Sequence, residues 1–170
     1  MAGFKELTPQ NWLEPDPTNH FFGRISPAGW TQLSGSEWAE AFLAVELSER
    51  VPANVRELFA VARGALLYGW FYYPLFRLGE EQLYRVGEAA VRSRYRSHGG
   101  SKQRPSFEEA IAFLVEAGVI RSGGEPRWTA MRQLRNISSH AEESAAMPPG
   151  AALSSLRHMA ADIESLFSAE

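Results

Sequence analysis

The chain has 170 residues, 45% of them hydrophobic and 22% charged, a composition that predicts one globular domain with a hydrophobic core. It contains no cysteine, which excludes disulfides, thiolate nucleophiles and cysteine-ligated zinc. Its formal net charge of −3 provides no general attraction to nucleic acid.

Targeting signals are not indicated at the start of the chain. The first residues carry no basic start followed by an apolar run, so we expect no signal peptide. The longest uncharged stretch, from Gly64 to Phe76, is shorter than the about 20 residues that a membrane span needs. We therefore expect a soluble, cytoplasmic protein that has no contact with a membrane.

Residues 1–35 form the first region of the predicted fold. Prolines and glycines are spread through this region, which predicts an irregular N-terminal extension. Its aromatic side chains indicate that the extension packs onto the body of the protein. These aromatic residues are Trp12, Phe21, Phe22 and Trp30. Residues 36–170 are expected to form one helical domain.

The first two helices are predicted from caps and apolar stripes. Ser36 is the expected N-cap of a helix that ends at Pro52, and Asn54 is the expected N-cap of the next. The second helix becomes aromatic over residues 68–73, and Pro74 should kink or break it before it continues. A helix that is apolar nearly all round either fills the core or faces a partner chain, so a homodimer interface is one interpretation.

The second half of the chain also has a helical pattern. Ser106 and Glu109 form a capping box that opens a helix, and Gly118 has the place of its C-terminal glycine. Pro126 fits the first turn of the following helix, and residues 148–150 precede a last amphipathic helix. Because no strand pairs are indicated, we predict an all-α fold of about five to six helices.

Six basic residues are concentrated between Arg85 and Arg104 of this acidic chain, and Glu88 is the one acidic residue in that range. They are Arg85, Arg92, Arg94, Arg96, Lys102 and Arg104. Such a strip could guide a polyanion to one place on the protein. It is equally the pattern of a solvated helix end whose positive charge is favoured by the helix dipole.

The stretch Arg135-Asn136-Ile137-Ser138-Ser139-His140 places an arginine, an amide and a histidine close together near a helix end. A permanent positive charge and a group that titrates near neutral pH can cleave a phosphodiester without a metal. On a regular helix Asn136 and His140 share a face, whereas Arg135 lies roughly 140° around the axis from His140. Either the helix unwinds near the two serines, or two copies of the motif face each other across a dimer axis.

The motif residues also have a purely structural interpretation. Arg135 could pair with Glu142 or Glu143, and His140 could interact with the negative end of a helix dipole. The other histidines, His20, His98 and His158, are interpreted as structural or solvent-facing. Neither a metal-site spacing nor a glycine-rich phosphate loop is present in the sequence, so we expect no metal and no cofactor.

Leu134-Arg135-Asn136 followed by His140 resembles the signature of the HEPN domain (higher eukaryotes and prokaryotes nucleotide-binding). In that signature a histidine follows an arginine after about four to six residues, commonly with a polar residue directly after the arginine. The similarity extends over about residues 54–168 and implies an antiparallel helical bundle. Residues 1–35 match nothing in it.

The resemblance implies a metal-independent endoribonuclease, often a toxin or antiviral effector, that acts as a homodimer. His140 would be the general acid or base, and Arg135 would bind the scissile phosphate and stabilise the transition state. Asn136 would orient the histidine or bind the phosphate. The nucleophile would be a 2′-hydroxyl, so the expected substrate is RNA, which residues 92–104 could help to bind.

The resemblance has two further implications. Toxins of this family often pair with an antitoxin, so an antitoxin or another defence-system protein is an expected partner. The alternative function is that of a non-catalytic HEPN-like module that binds a nucleotide or a partner protein, because a fold implies an activity less securely than it implies an architecture.

Overall fold

The fold is that of a computed structural model, which describes residues 5–121, 123–131 and 149–168. It is mostly helical, which confirms the coarse prediction. The helices in chain order are α1 (Gly35–Leu43), α2 (Ala53–Tyr68), α3 (Leu75–Ser97), α4 (Phe107–Glu116), α5 (residues 125–131) and α6 (Pro149–Phe167). None of the helices within the described residues is long and apolar enough to cross a membrane.

The prediction of a purely α-helical fold without strand pairs is wrong in the N-terminal region. A 3-10 helix (Pro17–Phe21) precedes two antiparallel strands, β1 (Gly23–Ser26) and β2 (Gly29–Gln32). Ser26 pairs with Gly29, whose φ of 107° suits glycine, so only two residues form the turn. The strands are largely exposed, and for that reason the sequence shows no alternation of apolar and polar residues.

The helix boundaries confirm some predicted caps and correct others. Ser106 and Glu109 form the expected capping box of α4, and Gly118 has a φ of 72° after its end. The N-cap of α1 is Ser34 and not Ser36, because only Ser34 has a glutamate, Glu37, at the third helical position. Asn54 was likewise the wrong cap, since Pro52 precedes the first residue of α2.

The pair of helices α2 and α3 forms the centre of the core. The turn over residues 69–74 separates them, as predicted from Pro74. They pack so closely that a Cβ added at Gly79 would lie 2.6 Å from Leu66 Cγ and 3.0 Å from its backbone nitrogen. Helices α1, α4 and α6 cover them with buried apolar residues, of which the largest fully buried ones are Phe42, Leu114, Leu156, Ile163 and Leu166.

The aromatic residues that the sequence concentrates near Pro74 mostly fill this core. Trp70 and Tyr73 are buried, and the ring of Trp70 lies 5.6 Å from that of Trp38 in α1. Tyr68 instead exposes 58% of its surface at the end of α2. Core filling therefore accounts for most of the cluster, while a homodimer interface on its exposed side stays a prediction.

Two buried polar residues connect the N-terminal region to the turn between α2 and α3. Asp16 is 1% exposed, and its carboxylate accepts hydrogen bonds from the backbone N–H groups of Thr18 at 3.0 Å and Tyr73 at 2.9 Å. The side-chain amide of Asn19, also 1% exposed, donates to the Trp70 carbonyl at 2.5 Å. The region before α1 therefore helps to hold the start of α3, the helix that carries much of the cleft described below.

Candidate functional site

The three predicted catalytic residues, Arg135, Asn136 and His140, lie outside the described residues. The separation of Arg135 and His140 therefore stays a prediction, as does their meeting across a dimer axis. The structure does describe the helices on both sides of the motif, α5 before it and α6 after it.

Helix α5 is held by buried contacts over its described length. Trp128 is 4% exposed and Met131 is 8% exposed. A Cβ added at Gly87 of α3 would lie 2.6 Å from the sulfur of Met131 and 3.2 Å from that of Met159 in α6. The glycine thus allows both methionines to approach the backbone of α3, where α5 and α6 meet it.

A cleft of about 410 Å³ lies where α3, α5 and α6 meet, a volume within the range of small-ligand sites. Its apolar lining comes from Leu83, the ring of Tyr84, Ala130, Met131 and Met159. Its polar lining comes from Glu80, Arg127, Ser155, His158 and Asp162. Titratable groups therefore surround an apolar floor, next to the helix that leads into the predicted motif.

Glu80 and Tyr84 lie one turn apart on the cleft face of α3 and are hydrogen-bonded to each other. Burial raises the pKa of the Glu80 carboxyl, and the neighbouring charge of Glu81 adds to this. The hydrogen bond from Tyr84 and the charge of Arg77 act in the opposite direction. Burial and the adjacent Glu80 raise the pKa of the Tyr84 hydroxyl, so Tyr84 is the donor to the carboxylate.

The other polar groups of the cleft come from α5 and α6. Arg127 donates to Asp162 at 3.1 Å while 70% of its side chain remains exposed. His158 is exposed, and its Nδ1 lies 3.5 Å from the Ser154 hydroxyl. The pair between Arg127 and Asp162 joins α5 to α6 and orients the guanidinium at the rim of the cleft.

The energetic cost of Glu80 gives a prediction about stability. The pKa of Glu80 in the folded state is raised above the ordinary value of 4.5. The protonated carboxyl therefore stabilises the fold fully when the pH is below the ordinary pKa, and this contribution is lost as the pH rises through the folded-state pKa. We expect Glu80→Gln to gain free energy of unfolding relative to wild type when the pH is raised from about 4 to about 7. Urea denaturation at both pH values measures this difference.

The adjacent Glu81→Gln is the matched control for this measurement, because Glu81 forms an ion pair with Arg77 and does not line the cleft. The stability difference between Glu80→Gln and wild type should grow with pH more steeply than that between Glu81→Gln and wild type, because Glu81 acts on the Glu80 pKa only through its charge and burial is the larger cause. A difference for Glu80→Gln that shrinks on raising the pH would contradict the assignment.

The predicted RNA-binding residues lie in different surroundings along α3 and the loop after it. Arg92 pairs with Glu88 at 2.9 Å and also donates to the Pro105 carbonyl at 2.7 Å. Lys102 pairs with Glu109 at 2.6 Å and thereby supports the capping box of α4. These two side chains have structural roles that the sequence prediction did not include.

The remaining basic residues of the strip differ in exposure. Arg94 is 8% exposed, and its guanidinium lies 6.0 Å from the centre of the Phe167 ring. Arg96 is exposed and donates to the Arg92 carbonyl, and Arg104 is exposed in the loop before α4. Arg85 is exposed as well, so Arg85, Arg96 and Arg104 are the members of the strip best placed to meet a polyanion. RNA binding by the strip stays a prediction.

In residues 5–121, 123–131 and 149–168, no group of three or more His, Cys, Asp or Glu side chains is arranged to hold a metal ion.

The polar residues of the cleft were not identified from the sequence as site residues. Glu80 and Tyr84 have the i, i+4 spacing of one helix face, which is the only local signal that could have found them. Arg127, His158 and Asp162 join them only because α5 and α6 pack onto α3. This convergence is a tertiary property that spacing along the chain does not encode.

Comparisons with known proteins add no family to these observations. Comparison with protein-family models, with curated proteins and with solved structures finds no match to this chain. The resemblance to the HEPN domain therefore depends on the motif and on the helical pattern.

Proposed function

We propose that this chain is a metal-independent endoribonuclease of HEPN type, which acts in the cytoplasm as a toxin or antiviral effector. The observation that carries this proposal is the motif Arg135-Asn136 followed by His140, within a mostly helical chain. The site is composite in this proposal, with one motif from each chain of a homodimer. An antitoxin or another defence-system protein is its proposed partner.

The surroundings of the motif are compatible with this chemistry. Helix α5 precedes the motif and has buried contacts at Trp128 and Met131, and the ion pair of Arg127 with Asp162 joins it to α6. Helices packed onto a rigid core can hold reacting side chains more precisely than a free loop. This supports the proposal without fixing the geometry of the motif.

Each motif residue has a defined role in the proposed reaction. His140 takes the proton from the 2′-hydroxyl or gives one to the leaving 5′-oxygen, since a histidine pKa near 6.5 permits both steps. Arg135 binds the scissile phosphate and stabilises the charge that develops on it. Asn136 orients the histidine or donates a hydrogen bond to the phosphate. The products are a 2′,3′-cyclic phosphate and a 5′-hydroxyl.

The alternative is a non-catalytic HEPN-like module, and one observation favours it. The cleft between α3, α5 and α6 has an apolar floor and a polar rim, as nucleotide- and other small-ligand sites commonly do. A protein that bound a nucleotide there without cutting RNA would belong to this second class.

The test compares wild type with Arg135→Ala and His140→Ala on single-stranded RNA in the presence of EDTA. We expect wild type to release fragments with 2′,3′-cyclic phosphate ends, and each variant to be slower by about 10²- to 10⁴-fold. Mass spectrometry identifies the fragment ends, and initial rates measure the loss of activity in each variant.

The matched control is Arg157→Ala, which removes an exposed arginine from α6 and should keep the wild-type rate. A substrate with a 2′-deoxyribose at the cleavage position should remain intact, because the nucleophile is then missing. Equal cleavage by wild type and both motif variants would overturn the proposal, and absence of cleavage by wild type would favour the non-catalytic module.

A further inference from the structure

The floor of the cleft between α3, α5 and α6 suits a flat ring. The thioether sulfurs of Met131 and Met159 both lie close to Gly87, which has no side chain to keep them away from α3. Sulfur makes favourable contacts with aromatic rings, and methionine adapts its shape to what it contacts. The ring of Tyr84, which is 7% exposed, adds an aromatic surface to the same lining.

The carboxylate of Glu80 is one of the polar groups that line the cleft. An ionised carboxylate only accepts hydrogen bonds, and its two oxygens offer about four acceptor positions. Tyr84 uses one of these and fixes the orientation of the group. The remaining positions can accept two parallel N–H donors from a molecule that lies against the floor.

Among the common nucleobases, this acceptor pair matches guanine. The N1–H and N2–H groups of guanine are adjacent donors on one edge of the ring, whereas adenine, cytosine and uracil each have a single donor atom on that edge, next to an acceptor. Bases outside a duplex are recognised by hydrogen bonds to this edge together with stacking on apolar side chains. The cleft offers both interactions.

Arg127 and His158, at the rim of the cleft, can bind the phosphate group of a nucleotide whose base lies in the cleft. Arg127 has five N–H donors, and its hydrogen bond to Asp162 uses one nitrogen while 70% of the side chain is exposed. His158 is also exposed on α6. Both can contact a phosphate group that extends from a base held by Glu80.

We propose that this cleft binds a guanine base, with the Glu80 carboxylate accepting its N1–H and N2–H groups and with the base packed against Met131 and Met159. The base belongs either to a free guanine nucleotide or to a guanosine of single-stranded RNA. Binding does not require cleavage, so this inference does not depend on the activity of the Arg135 and His140 motif.

Isothermal titration calorimetry with the full chain tests the preference for guanine. We expect GMP to bind, and AMP to bind roughly 10- to 100-fold more weakly, because a bidentate base contact is lost. IMP, which lacks the 2-amino group, should lie between them. Equal affinities for GMP and AMP, or no binding of GMP at millimolar concentration, would overturn the inference.

The role of Glu80 is tested by Glu80→Gln, whose side-chain amide replaces one acceptor by a donor. GMP affinity should fall by about 10-fold or more in this variant, and the preference over AMP should disappear. The control Glu81→Gln should bind GMP like wild type. Retention of wild-type GMP affinity by a folded Glu80→Gln would also overturn the inference.

Two oligonucleotides distinguish the sources of the base. The His140→Ala variant is titrated with a short oligoadenylate RNA and with the same RNA carrying one guanosine. Guanosine-dependent binding of the RNA together with weak binding of GMP identifies an RNA subsite, and binding of GMP at least as tight identifies a free-nucleotide site. If the two RNAs bind equally well and GMP does not bind, the base-binding assignment is wrong, whatever the outcome of the cleavage assay.

Discussion

A mixture of the Arg135→Ala and His140→Ala variants is expected to regain RNA cleavage that neither variant has alone. The two side chains lie roughly 140° apart on a regular helix, so they do not converge from one straight helix. If the catalytic pair combines Arg135 of one chain with His140 of the other, a heterodimer of the two variants contains one intact pair. Random exchange should then restore about a quarter of the wild-type rate, because about half of the dimers are mixed and each has one of two sites.

The measurement is the initial rate of the mixture after subunit exchange, with heterodimers detected by native mass spectrometry. The double variant Arg135→Ala/His140→Ala, mixed with wild type, is the control. In its heterodimers each pair that joins the two chains lacks either Arg135 or His140, so a composite site is never intact there. Detected heterodimers without activity would exclude the composite site and favour a bend within one chain. That outcome would leave the proposed cleavage reaction in place if wild type still cuts RNA.

The predictable parts of the fold are those with a local chemical signal. The capping box at Ser106 and the break near Pro74 follow from neighbouring residues in the sequence, and the structure confirms both. The same rule would have placed the first cap of α1 at Ser34, because Glu37 stands three residues after it. Ser36 has Ala39 three residues after it, so it cannot form a capping box.

The hairpin before α1 shows what such signals cannot reveal. Ile25 and Trp30 are paired across the strands, yet they expose 87% and 54% of their surfaces. A strand pair that buries little of either face leaves no apolar alternation in the sequence. Its turn residues, Pro27 and Ala28, also lack the Asn-Gly or Gly-rich pattern that marks most two-residue hairpins.

The cleft could not be predicted for a different reason. Leu83 and Val86 belong to the apolar stripe of α3, and both are buried. What the stripe contacts is decided by Gly87, where Met131 and Met159 approach the backbone from two other helices. Sequence spacing identifies one wall of such a site, and only the packing of three helices supplies the others.

Replacing Asp16 by alanine is expected to lower the free energy of unfolding by about 2–5 kcal/mol, because one buried and one partly buried N–H group lose their acceptor. These are the backbone groups of Thr18 and Tyr73, which donate to the carboxylate at 3.0 Å and 2.9 Å. The carboxylate is 1% exposed, so water does not readily replace it in the intact fold. Such a loss is a large share of the about 5–15 kcal/mol by which domains are usually stable.

Urea denaturation measures the change, and Glu14→Ala is the control because its exposed side chain lies in the same segment. That variant should remain within about 0.5 kcal/mol of wild type. Asp16→Asn should fall between wild type and Asp16→Ala, since its amide oxygen still accepts one of the two bonds. A loss below about 1 kcal/mol in Asp16→Ala would contradict the buried network. Since Tyr73 directly precedes the residues that open α3, a loss of the expected size would also mean that the N-terminal region supports the helix on which Glu80 and Tyr84 stand.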